Sequence, residues 1–277
     1  MTSDLFPPLA LADWKPTRDT LHGYARLLGA IRAALTPRHK HWWHITLRTA
    51  ASGYTTTPIP GPNMTFELLL DLVFHQLVIT TSHGERWATR LHGQALASLA
   101  DEVVAMLARL GIDPGIDRSK FSNATPGRYD LPAVTRYWRA TTQIDTVLKR
   151  FKHSLRQETS PVQCFPHHFD LAVNWFSGRL LPGIDPADEE NADEQMNFGF
   201  ATGDDGIPDP YFYITTYQEP DGLARTPLPP GATWITDSFR GALLPYETLR
   251  QAPDPQAGLF EFFSTVQRAG ARLMLGR

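Results

Sequence analysis

WKPTRDTLHGYARLLGAIRAALTPRHKHWWHITLRTAASG (residues 14–53) and WRATTQIDTVLKRFKHSLRQETSPVQCFPHHFDLAVNWFSG (residues 138–178) are the two stretches that decide how this chain reads. At a spacing of 124 residues they share Trp14/Trp138, Thr17/Thr141, Arg26/Arg150, Arg32/Arg156, Pro37/Pro161, His44/His168 and Leu47/Leu171. A Ser-Gly pair, Ser52-Gly53 and Ser177-Gly178, follows after a one-residue slip. Each copy sets a Trp-led amphipathic helix before a proline, then a strand carrying the shared histidine. Identities at matching points of one helix–strand unit predict an internal duplication. The expected architecture is α+β, with two similar helix–antiparallel sheet–helix halves meeting along a seam that suits a pocket.

Working outward, Thr17 is placed to cap a helix running to Leu35, with Tyr24, Leu27, Leu28, Ile31 and Leu35 on one face and Pro37 ending it. From His41 the period changes to two, which predicts a strand with Trp43, Ile45 and Leu47 opposite His44, Thr46 and Arg48. Ser52-Gly53 reads as a hairpin turn into Tyr54–Thr57. Alternation predicts further strands around Phe66–Asp71 and Val73–Thr81, and His83-Gly84 turns the chain into Arg86–Leu91. This makes a meander of about five strands. A helix over Gln94–Leu110 follows, with Gly111 after it. Residues 112–130 read as a connection between halves 1–111 and 131–277, together one compact unit. In the second half Asp130 caps a helix, 168–175 alternates as a strand, and further strands cover Gln195–Ala201 and Tyr211–Tyr217. Asp254-Pro255 opens the last helix. The acidic segment Leu180–Glu194 is expected to be a mobile flap.

Hydrophobic content of 42% and charged content of 20% are those of a globular protein, and a formal charge of −3 gives no reason to expect nucleic acid or an anionic membrane as partner. Cys164 is the single cysteine, so no intramolecular disulfide forms and a reducing compartment is the default. The start, MTSDLFPPLALADW, lacks a secretory pattern, and the longest apolar run, Leu68–Val73, is broken by Asp71. A cytoplasmic protein is the expectation.

HWWH (41–44), TTTPIP (55–60), SPV (160–162), FDLAVNWFSGR (169–179) and LPYETLR (244–250) resemble the bacterial family catalogued as domain of unknown function 5996. The resemblance runs over nearly the whole chain, with FDLA to FSGR its most specific stretch. It implies a cytosolic, single-chain α+β protein and transfers no activity. Between SPV and FDLA the family tends to carry His-Phe-Phe-Trp-Gly-Ser, where this chain has Gln163-Cys164-Phe165-Pro166-His167-His168. One polar position loses a histidine and two gain one.

Several residues are candidates for chemistry. His41 and His44 are spaced as a metal pair, but a regular strand would turn them to opposite faces, so joint ligation needs a bulge or a strand that starts after His41. His44 and His168 are matched by the echo, and with His41 they form the candidate set for a divalent metal. His168, Asp170 and Asn174 are expected on one strand face, where the carboxylate could orient the imidazole for base or ligand duty; the bland alternative is a solvated face. His44, His168 and Asp170 are therefore the catalytic candidates. His75 is expected to point inward beside Glu67 as an acid–base pair, or to be a satisfied core histidine. Arg179 is either a fork for an anionic ligand or a clamp on Asp170 or the acidic loop. Trp43 completes the ligand-binding candidates. Glycine-rich phosphate loops, the Rossmann fingerprint, the Gly-x-Ser-x-Gly elbow and the His-Glu-x-x-His helix are all absent from the sequence.

Three functions fit these residues. The first is a small-molecule enzyme, acid–base or metal-assisted, with its pocket between the halves. The second is a binding or sensing protein without turnover, and the third a scaffold with an interaction surface. The ligand-binding readings expect His168, Asp170 and Arg179 around one cavity, with His44 reaching it.

Overall fold

A computed structural model describes residues 5–188, 191–237 and 240–276. In chain order, helix α1 (Leu11–Leu35) and a 3-10 turn (Lys40–Ile45) precede strands β1 (Arg48–Thr49), β2 (Gly53–Thr55), β3 (Ile59–Pro60), β4 (Thr65–Asp71), β5 (Gln76–Thr81) and β6 (Arg86–Arg90). Helix α2 (Leu96–Arg109), a 3-10 turn (Arg118–Phe121) and helix α3 (Leu131–Ser154) come next. Then follow β7 (Gln163–Phe165), β8 (Asp170–Leu180), β9 (Asp193–Ala201) and β10 (Tyr211–Tyr217). A 3-10 turn (Leu223–Arg225), β11 (Thr233–Ile235), β12 (Gly241–Pro245), α4 (Tyr246–Arg250) and α5 (Pro255–Leu275) complete the chain. The fold is α+β with antiparallel sheets.

The chain divides into two compact units. One is Trp14–Trp138 with Gln163–Phe169, called here the meander unit; the other is Met1–Asp13, Arg139–Val162 and Asp170–Arg277, called the C-terminal unit. In the meander unit the strands lie in the order β1-β2-β4-β5-β6, with β3 on β4. The antiparallel meander expected from the alternation of Phe66–Asp71 and from the His83-Gly84 turn is present, and β3 adds a sixth strand to the sheet. Leu68 and Leu70 face Ile79 and Leu77 across the β4–β5 pair, and all four are buried. Helix α1 buries Leu21, Leu28 and Ile31, and α2 buries Leu99, Val103 and Leu107. The Tyr24 hydroxyl donates to the Gln94 carbonyl at 2.7 Å, tying α1 to the residues before α2. Cys164 in β7 exchanges backbone hydrogen bonds with Leu47 at 2.8 and 2.9 Å, which stitches 163–165 to the chain entering β1.

In the C-terminal unit the strand order is β11-β12-β10-β9-β8. Register puts Leu171, Val173 and Trp175 of β8 opposite Phe200, Phe198 and Met196 of β9, and Phe212 and Ile214 of β10 beside Phe200 and Phe198. This apolar face packs on helices: Phe198 lies 4.8 Å from Phe151 of α3 and 5.9 Å from Phe263 of α5. Asp254 caps α5, accepting from the Ala257 N–H at 3.0 Å, as the Asp-Pro pair predicts. Asp130 likewise accepts from the Ala133 N–H at 2.8 Å at the start of α3.

Four local expectations are corrected. Helix α1 begins at Leu11, so Thr17 lies inside it and its hydroxyl instead accepts from the Asp130 N–H at 3.1 Å. Residues 41–47 are not a strand: His41 (φ 53°) and Trp42 (φ 60°) are both left-handed, which curls the chain into the 3-10 turn. Two left-handed non-glycine residues in a row leave no signature in a hydropathy pattern. Third, Leu72–His75 form the turn between β4 and β5, with His75 at φ 54°, rather than the start of a strand. Last, β8 starts at Asp170, because Phe165–Phe169 closes a turn with Phe169 at φ 59°. The helix–strands–helix order recurs in both halves, but strand order does not: β12 lies inside β11, whereas the meander runs in sequence.

Candidate functional site

The turn after β7 gathers imidazoles in the meander unit. The Phe169 N–H donates to the Phe165 carbonyl at 2.8 Å, and this turn sets the His167 and His168 rings 4.4 Å apart. His22 of α1 stacks on Phe169 at 5.6 Å, and its Nε2 lies 3.2 Å from the His167 carbonyl. Burial, then the neighbouring charges of His168 and His22, depress the His167 pKa to about 4. His22 is lowered too, mainly by burial and then by Arg18. His167 is thus neutral near pH 7.

Beside this turn lies a cleft of about 280 Å³. Ala30, Ala33, Ile45, Phe121 and Pro166 make an apolar floor, and Arg26, Lys120 and His167 stand around it; among the described residues no carboxylate lines it. Separate elements supply its parts. Arg26, Ala30 and Ala33 recur at helical spacing on α1, Asp117 caps the 3-10 turn that carries Lys120 and Phe121, and β7 delivers Pro166 and His167. Gly29 allows the close approach: a Cβ there would sit 2.6 Å from Pro166 Cγ and 3.1 Å from the Ile45 carbonyl oxygen. Another groove of the meander unit, about 360 Å³, is lined by Asp19, Gln94, Asn123 and Arg128 among others, and so mixes both charges.

The C-terminal unit holds a polar cluster on the sheet face opposite its aromatic core. Tyr213 lies across Gly199 of β9, where a Cβ would meet the ring at 2.3 Å, and its hydroxyl donates to Asp170 on β8. Asn197 hydrogen-bonds the same hydroxyl, and burial followed by the Asp170 charge holds the Tyr213 pKa well above its usual value. Tyr211 donates to Asp204 at 3.2 Å.

The residues singled out from sequence fall as follows. His44 is half-buried, with Nδ1 3.3 Å from the His39 carbonyl and 3.2 Å from the His39 N–H, and burial lowers its pKa. His41 is buried, and Trp43 stacks on His39 at 4.8 Å. His168 is exposed in the turn and does not share a strand face with Asp170, which is buried and bonded to Tyr213. The alternative of a solvated face does not hold for Asp170 and Asn174, which are both buried. His75 does not meet Glu67: its Nδ1 lies 3.2 Å from the Tyr129 hydroxyl, while Glu67 accepts from Thr55. Among the described residues Arg179 clamps neither Asp170 nor the acidic loop; it donates to the Met274 carbonyl in the last turn of α5, where a cation offsets the helix dipole. In the Leu180–Glu194 segment the Leu181 N–H bonds the Ala192 carbonyl at 2.8 Å and both side chains are buried, so its ends are packed; Glu189 and Glu190 lie outside the described residues. Among the described residues no group of three or more His, Cys, Asp or Glu side chains is arranged to hold a metal ion. Lys120, Phe121 and Pro166 carried no sequence signal, since neither periodicity nor motif links them to α1.

No curated protein and no solved structure matches the chain. The model of a family of unknown function, DUF5996, matches residues 6–275. That match spans nearly the whole chain, which therefore belongs to the DUF5996 family.

Proposed function

We propose that this protein binds a small molecule in the cleft between α1, the Arg118–Phe121 turn and the turn after β7. The observation that carries the reading is the pairing of an apolar floor with Arg26 and Lys120 on a rim free of carboxylates. Pockets that hold small ligands combine mostly apolar walls with a few placed polar groups. Binding without turnover is favoured over acid–base catalysis by His167 itself. With a pKa of about 4 it is neutral at physiological pH and a poor match to proton abstraction there. The catalytic candidates His44, His168 and Asp170 support turnover less well, because His44 is engaged by His39 and Asp170 by Tyr213, while His168 stands exposed in the turn before β8.

The reading keeps the protein cytoplasmic, with no nucleic-acid or membrane partner. A net charge of −3 supports this, and among the described residues no helix is long and apolar enough to cross a membrane. It also keeps duplication as the origin of the recurring helix–strands–helix order.

Anilinonaphthalene sulfonate, an anion with an apolar aromatic body, tests the site. Its fluorescence should rise saturably with the folded wild-type protein, and Ala33→Trp, which fills the floor, should abolish that rise. An equal rise with Ala33→Trp, or none with the wild type, overturns the assignment.

A further inference from the structure

Arg32 and Arg48 are two part-buried cations of the meander unit that lie outside the cleft and have no carboxylate partner among the described residues. Arg32, on α1, donates to the Thr46 carbonyl, with Nη1 also 3.3 Å from Thr46 Oγ1. Arg48, on β1, donates to Gln163 Oε1 at 2.6 Å, and Thr46 Oγ1 lies 2.9 Å from the same oxygen. Gln163 and Thr46 are both 0% exposed. The Arg48 contact fixes the orientation of the Gln163 amide, because a guanidinium only donates and a flipped amide would set two donors against each other. The Gln163 Nε2 group is consequently left as a buried donor without an acceptor among the described residues, and Arg32 Nε is in the same condition.

Neither arginine is ion-paired among the described residues. Burial, then the charge of Arg32, lowers the Arg48 pKa to about 10, and burial lowers that of Arg32. Two part-buried like charges beside two unsatisfied donors are unfavourable on their own. One acceptor-only group with several oxygens would satisfy the donors and balance the charge together.

We propose that Arg32, Arg48 and Gln163 form a buried receptor for one oxyanion, of carboxylate or phosphate type. The site is independent of the cleft reading, because its residues do not line the cleft. It also differs from a helix N-terminus or a surface basic patch, since the Gln163 donor has no solvent to turn to.

The test is thermal unfolding of the full chain in chloride, with millimolar phosphate or acetate added at matched ionic strength. The wild-type melting temperature should rise saturably, on the order of 2–4 °C, in at least one of the two. Which anion acts identifies the head group. Gln163→Glu supplies a carboxylate from within, so it should melt above the wild type in chloride and lose the response. Arg48→Met, which keeps the stem packing, should lose the response without that gain. If Arg48→Met does not fold, Gln163→Met takes its place with the same expectation. A wild type that responds no more than Gln163→Glu overturns the proposal, as does a Gln163→Glu protein that melts below the wild type. Ala33→Trp should leave the response intact, so the cleft and the receptor fail or stand separately.

Discussion

Gly199→Ala should be among the most damaging single-methyl changes in this protein. Tyr213 reaches Asp170 by lying flat across β9 at Gly199, and an added Cβ would sit 2.3 Å from Cζ, 2.5 Å from the hydroxyl and 2.6 Å from Cε1. No rotation of a fixed Cβ relieves contacts that short, so the ring must lift away. Lifting it breaks the bond from Tyr213 to the Asp170 carboxylate, and a hydrogen bond to a charged group contributes about 1.5–3 kcal/mol. Forcing a packed side chain off its position costs about 1–3 kcal/mol more. The expected loss is therefore about 3–5 kcal/mol, read as the difference in urea unfolding free energy at constant m. Tyr213→Phe provides the reference: it removes the hydroxyl and keeps the ring, so it should cost only about 1.5–3 kcal/mol. A Gly199→Ala loss below about 1 kcal/mol, or one no larger than that of Tyr213→Phe, would show that Tyr213 is not held over β9 in this way.

Three further outcomes follow from the same geometry. Because His167 has a folded pKa of about 4 against about 6.5 unfolded, the unfolded chain binds more protons between those values, so stability should fall as pH drops through that window; His22 and His44 act in the same direction, and His167→Gln should flatten the slope of melting temperature against pH. Asp254→Ala should cost about 1 kcal/mol in denaturant unfolding, since it removes the cap from the Ala257 N–H at the start of α5. Asp71→Ala should cost about 1–3 kcal/mol, because the buried Asp71 carboxylate accepts from the Val73 and Phe74 N–H groups at 3.0 and 2.9 Å and so defines the β4–β5 turn.

What the sequence made legible depended on how local the cause was. The meander could be read because each of its longer strands alternates over several residues and is bounded by a turn signal such as Ser52-Gly53 or His83-Gly84. Tyr211–Tyr217 and the Asp254-Pro255 helix start were equally local. The strand expected at 41–47 was overridden by the left-handed pair His41 and Trp42, which a hydropathy pattern does not register. β11 and β12 went unread because three and five residues flanked by prolines and glycines are too short to show a period. The cleft was illegible for a different reason: its floor and rim come from α1, residue 45, residues 120–121 and residues 166–167, which only the fold brings together. Reading 168–175 as one strand joined His168 to Asp170, and a single left-handed residue, Phe169, separates them.

The central claim is that the Arg26–Lys120–His167 cleft takes a small ligand whose charge is negative. Backbone amide NMR of the full chain, titrated with octanoate and in parallel with octylamine, tests it most directly. The account predicts saturable shifts with octanoate centred on the amides of Ala30, Ala33, Ile45, Phe121 and His167, and no comparable shifts with octylamine. Equal responses to the two amphiphiles, or octanoate shifts centred away from these residues, would contradict it.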